Sequence, residues 1–126
     1  MKHTKITEMI EALPASKLVG HEVCNHAGDY LGEIEDLVID MESGNVAYAV
    51  LSFGGSSGVI GFRDKWIAVP LQLLKLKPGE GTIILNVNKD DLEDAPGFKK
   101  GNWPNAITTE WVEEVHVYYG VRPYWD

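Results

Sequence analysis

Between Leu18 and Asn88 apolar residues largely alternate with polar ones, the two-residue period of strands with one buried face. The alternation predicts a first strand over 18–25 and a turn over 26–32 with Gly28 and Asp29 at its tip. A second strand follows over 33–40, a turn over 41–45 and a third strand over 46–53. Gly44 and Asn45 suit the positive φ that a tight hairpin turn demands. Short strands over 66–70 and 82–88 complete the series, the last after a turn over 77–81. Strands this short with turns this frequent imply a small antiparallel barrel or sandwich.

Two local features favour closure into a barrel. In the second strand Ile34 and Val38 share one face, whereas Leu37, Ile39 and Met41 share the other. The hydrophobic phase therefore slips near Glu35 and Asp36, as a bulge would produce, and bulges bend sheets. In the third strand Val46, Tyr48 and Val50 make one face apolar, and Ala47, Ala49, Leu51 and Phe53 the other. Such a strand must be covered twice, by the sheet interior and by another element or another chain.

The ends of the chain change period. Ile6, Met9, Ile10 and Leu13 fall at helical spacing, and Pro14 stops that helix. Residues 89–98 predict a short helical turn ended by Pro96 and Gly97, and residues 101–105 a loop. From 108 to 120, Trp111, Val112, Val115, Tyr118 and Tyr119 recur at helical spacing. A threonine caps this helix, Glu110 suits its first turn and Gly120 its end. The resulting division is an N-terminal helical segment over 1–15, a β-barrel over 16–90 and a C-terminal helical and aromatic extension over 91–126.

Charge narrows the set of partners. A formal charge of −8, from 19 acidic and 11 basic residues, repels nucleic acid and anionic membrane surfaces. The densest basic spot is only Lys99 and Lys100. No apolar run reaches the length of a membrane span, and Glu8, Glu11 and Pro14 interrupt any signal-peptide core. Cys24 is the only cysteine, so no disulfide forms within the chain, and its reading is a small buried hydrophobe in a cytoplasmic protein.

The candidates for chemistry are few. No metal site is assigned; the carboxylates nearest to one are Asp36, Asp40 and Glu42, which lack the dense alternation of a calcium loop. Asp40 is placed to bond turn amides ahead of Gly44. His21, His26 and His116, with His3, match no zinc spacing. Gly54, Gly55, Gly58 and Gly61, interleaved with Ser56 and Ser57, form a loop with neither a phosphate-cradle nor a nucleophile-elbow motif. No cofactor is implied, and no nucleophile–base constellation points to an enzyme. The aromatic set Trp103, Trp111, Tyr118, Tyr119, Tyr124 and Trp125 either plugs the barrel or anchors a partner, as Trp and Tyr do at interfaces.

The ordered series L-V-G-x-x-V (18–23), G-x-x-L-G-x-I-x-D-L-x-I-D (28–40), S-G-x-V-x-Y-A-V-L (43–51) and A-V-P (68–70) resembles the PRC-barrel family. That family includes the cytoplasmic domain of the photosynthetic reaction-centre H subunit and the C-terminal domain of RimM. The tail A-P-G-F (95–98), G-N-W-P (101–104), W (111) and Y-Y-G-V-R-P-Y-W (118–125) resembles an extension of free-standing bacterial members. The resemblance implies a mainly β fold, a small antiparallel barrel with short flanking helices, used for protein contacts without catalysis. The expectation is a protein-interaction or scaffold module, working as a homodimer with a further partner unnamed. The alternative is a small-ligand or metal-ion sensor using loop 54–61 and the nearby acids. A photosynthetic role would follow by family analogy alone.

Overall fold

The computed structural model describes residues 12–53, 65–77, 81–99, 102–103 and 107–126. The helix expected around Ile6, Met9 and Ile10, and the glycine loop of Gly54, Gly55, Gly58 and Gly61, lie outside the described residues. The strands are β1 (Glu22–Cys24), β2 (Tyr30–Ile39), β3 (Val46–Phe53), β4 (Lys65–Val69), β5 (Leu74–Lys77), β6 (Thr82–Leu85) and β7 (Gly97–Lys99). They form one seven-stranded sheet in the order β5-β6-β1-β2-β3-β4-β7. A short helix α1 (Ala15–Leu18) precedes the sheet, and a ten-residue helix α2 (Thr109–Tyr118) follows it.

The fold is mainly β with short helices, as the alternation implied, but five expectations are corrected. The ladder does not close, because β5 and β7 are its two ends and do not pair with each other. The sheet is not wholly antiparallel: β1 runs parallel to β6, with Val23 opposite Ile83. The first strand begins at Glu22 rather than at Leu18, because residues 15–18 coil into α1 and Gly20 takes φ 94°, which breaks an extended run. The last predicted strand likewise ends early, at Leu85, where the Val87 amide turns back to the Leu85 carbonyl. Residues 89–98 contain the expected turn as a 3₁₀ helix over Lys89–Leu92, but Gly97 opens β7 instead of ending a helix.

The phase slip in β2 has the cause its sequence suggested. Ile34 pairs with Leu51 and Asp36 with Val50, so Glu35 is an extra residue in the ladder. A second irregularity skips Leu31 between the pairs Val23–Gly32 and Cys24–Tyr30. Two bulges are what allow Leu31, Ile34 and Leu37, three residues apart, all to reach one core. That core also takes Val23, Phe53, Ile67, Val69, Ile83 and Leu85.

Strand β3 is covered twice. Leu51 and Phe53 enter the main core, while Tyr48 and Val50 enter a second cluster with Ala68 and with Val112 and Val115 of α2. The second cover comes from the chain itself, so this strand needs no second copy. Helix α2 is well terminated. The Thr108 hydroxyl accepts the Trp111 amide at 3.1 Å. At the other end Gly120, at φ 72°, donates to the Val117 carbonyl and Val121 to His116, a Schellman stop.

The turn between β1 and β2 depends on a buried asparagine. The Asn25 amide nitrogen donates to the Val87 carbonyl at 3.1 Å and to Asp29 at 3.2 Å, and its oxygen accepts the Asp29 amide at 2.9 Å. Cys24 is half-buried and unpaired, less enclosed than its reading as a core residue required.

The weakest-looking strand carries a sharp steric limit. A Cβ on Gly97 would stand 2.3 Å from the Trp66 carbonyl oxygen of β4. Gly97→Ala is therefore expected to push β7 off β4 and to lower stability by about 1–3 kcal/mol, in the range of overpacking. Denaturant unfolding checks the loss, and hydrogen exchange should show it at the Trp66–Phe98 pair.

Candidate functional site

The turn joining β2 to β3, the start of α2 and the last residues of the chain meet at one place. Asp40 organises the turn: its Oδ1 accepts the amides of Glu42 at 2.9 Å and Ser43 at 3.3 Å, and Gly44 completes it at φ 81°. Its other oxygen, Oδ2, accepts the Tyr124 hydroxyl at 2.5 Å, tying the tail to the hairpin. Tyr124 in turn packs edge-on against the buried His116 ring of α2 and against Trp125, with centroids 6.3 and 5.0 Å away. His116 Nδ1 lies 2.8 Å from the Val112 carbonyl, so this histidine is bonded within its own helix.

These elements enclose a groove of about 340 Å³, floored by Val38, Ala47 and Val112 and walled by Ile39, Met41, Ile107 and Trp125. A second recess of about 540 Å³ continues from it past Asn45, Thr109 and Glu113. The walls are unusually bare for apolar side chains: Met41 is 85% exposed, and Ile39, Ile107 and Trp125 are each 44% exposed. Around them stand the carboxylates of Asp40, Glu42 and Glu113, and among the described residues no Lys or Arg lines either recess.

The aromatic candidates are divided among several surroundings. Only Tyr124 and Trp125 reach the groove. Trp111 lies edge-on to Tyr48 at 6.2 Å, in the cluster beneath α2. Tyr119 packs against both clusters, and Tyr118 donates its hydroxyl to the Asp91 carbonyl. Trp103 packs elsewhere, edge-on to Trp66 and tilted against Phe98, with centroids at 5.7 and 5.2 Å. Of the acids, Asp40 and Glu42 stand at the groove, while the Asp36 carboxylate accepts its neighbour's amide, from Leu37 at 2.8 Å. No three His, Cys, Asp or Glu side chains among the described residues come together to hold a metal. Ile39, Met41 and Ile107 are the groove residues that sequence reasoning missed. Met41 gave one signal, an apolar side chain inside a polar turn, and Ile107 another, an apolar residue just ahead of a helix cap.

The model for the PRC-barrel domain matches residues 10–92. The chain belongs to the PRC-barrel family. No curated protein matches it. At the level of the family, a PRC-barrel domain is a non-catalytic interaction module. No helix among the described residues is long and apolar enough to cross a membrane. The groove straddles the limit of the family match: its residues from Val38 to Ala47 lie within it, and those from Ile107 to Trp125 beyond it.

Electrostatics tie the tail's attachment to pH. The Tyr124 hydroxyl lowers the Asp40 carboxyl below its ordinary value, assisted by the Glu42 amide. Burial, followed by that carboxylate, raises Tyr124 to about 12. Burial is also the first cause raising Tyr30, Tyr48, Tyr118 and Tyr119 above 10.0. A group raised on folding stabilises the fold below its unfolded pKa and loses that contribution as pH climbs to the folded value. The native protein is expected to show less tyrosinate absorbance at about pH 10 than the denatured chain, which is half ionised there. Unfolding should accompany ionisation as pH approaches about 12. Tyr124→Phe should return the Asp40 carboxyl toward its ordinary value in an NMR titration; an unmoved value would deny the Tyr124–Asp40 bond.

Proposed function

We propose that this PRC-barrel protein is a contact module that docks another protein chain in the groove between the β2–β3 turn and the C-terminal tail. The supporting observation is the set of four large apolar side chains left bare around one recess beside Tyr124, with Met41 the most exposed. Apolar side chains in a concave patch with a polar rim favour a protein partner, because burying them is what association gains. The β-sheet domain holds one wall rigidly, and α2, capped at both ends, holds the other.

The formal charge of −8 speaks against nucleic acid as the partner. A reducing, cytoplasmic compartment suits the role, since Cys24 has no second cysteine to join. A homodimer through this groove is the rival arrangement, and its support is now limited to the aromatic tail.

A photo-crosslinking benzophenone amino acid at position 41 or 107 preserves the apolar character of the wall. In native cells these two positions are expected to give adducts with a protein chain. Position 117, where Val117 is 65% exposed outside the groove, should give none. Equal labelling from all three positions, or none from the groove, would overturn the proposal. An adduct at twice the 14.0 kDa of one chain would make the docked protein a second copy.

A further inference from the structure

Accepting that the groove receives a protein chain, we infer that its occupant is a positively charged amphipathic segment of a different protein. Apolar side chains of that segment would enter between Met41, Ile107 and Trp125, and its Lys or Arg residues would reach Glu42 and Glu113. Three features of the groove select this chemistry. The rim carries carboxylates and, among the described residues, no cation. Asp40 has both oxygens engaged, by turn amides and by the Tyr124 hydroxyl, so Glu42 and Glu113 are the carboxylates left for a partner.

Trp125 lies in both recesses and is 44% exposed, which lets its ring meet a guanidinium bound to Glu113. Charge also decides against the alternatives. A two-fold pairing of this face would set Glu42 and Glu113 of one copy against the same residues of the other, and like charges in an interface cost association. An acidic peptide or an anionic surface meets the same repulsion, reinforced by the chain's −8. A basic segment is instead drawn in by the whole field of the protein.

Three synthetic peptides of about five helical turns test this. One is a Leu/Lys amphipathic helix, one replaces every Lys by Glu, and one keeps the Lys residues but replaces Leu by Ser. The full chain is followed by NMR at the Met41 methyl and Trp125 indole resonances. The Leu/Lys peptide should move both resonances and bind at least about tenfold tighter than the other two. Glu42→Gln with Glu113→Gln should weaken it by about five- to tenfold and flatten its salt dependence, the scale of two exposed ion pairs. Both positions are exposed, so the double variant is expected to fold, and unchanged remaining resonances will show it. Equal groove binding of the Leu/Glu peptide would overturn the charge selection while leaving a protein-docking groove intact. Shifts confined to other surfaces, or a double variant that binds as the native chain does, would also overturn the inference. Adducts from position 41 that contain only a second copy would do the same.

Discussion

Strand β3 is the wall shared by two apolar clusters, and neither cluster can form without it. Its Leu51 and Phe53 complete the sheet's main core, and its Tyr48 and Val50 form the base for α2. A strand apolar on both faces loses much of its hydrophobic stabilisation if either cover is removed. The C-terminal extension is therefore part of the domain's packing, although the family match ends at residue 92. Its presence over the second face is also what carries Ile107, Tyr124 and Trp125 to the β2–β3 turn.

The cover has a cost. Among the described residues the Tyr48 hydroxyl and the Trp111 ring nitrogen, buried between β3 and α2, meet no hydrogen-bond partner, nor does the Tyr119 hydroxyl nearby. The Trp111 indole lowers Tyr48's pKa slightly against the dominant effect of burial, yet the pair falls short of hydrogen-bond geometry. Such groups oppose burial, and the aliphatic contacts of Val112 and Val115 must outweigh them. Outside this seal, among the described residues, the tail is held by two polar contacts, Tyr124 on Asp40 and the Gln72 amide on the Arg122 carbonyl at 3.2 Å, and the Asp40 carboxylate also shapes the turn that presents Met41. Turn geometry, tail position and groove shape are thus coupled through a single side chain.

Local chemistry was legible in the sequence. The limits of β3, the bulge at Glu35, the Asp40 turn, the Thr108 cap and the Gly120 stop all have causes within a few residues. Features set by distant parts of the chain were not. Nothing near Val23 announces a parallel partner at Ile83, and β7 is three residues held in place by a backbone contact with β4. No element was expected between 70 and 77, where the chain forms a 3₁₀ turn followed by β5. The groove was illegible for the same reason. Met41 and Ile107 are far apart in sequence, and only the seating of α2 on β3 brings them together.

A double-mutant cycle on Tyr48 and Trp111 tests that seating most directly, since their rings meet edge-on across the β3–α2 boundary at 6.2 Å. Replacing each by Leu, singly and together, should reveal a coupling of about 0.5–1.5 kcal/mol in the unfolding free energy. Losses that add to within about 0.3 kcal/mol would mean that α2 does not seal the second face of β3.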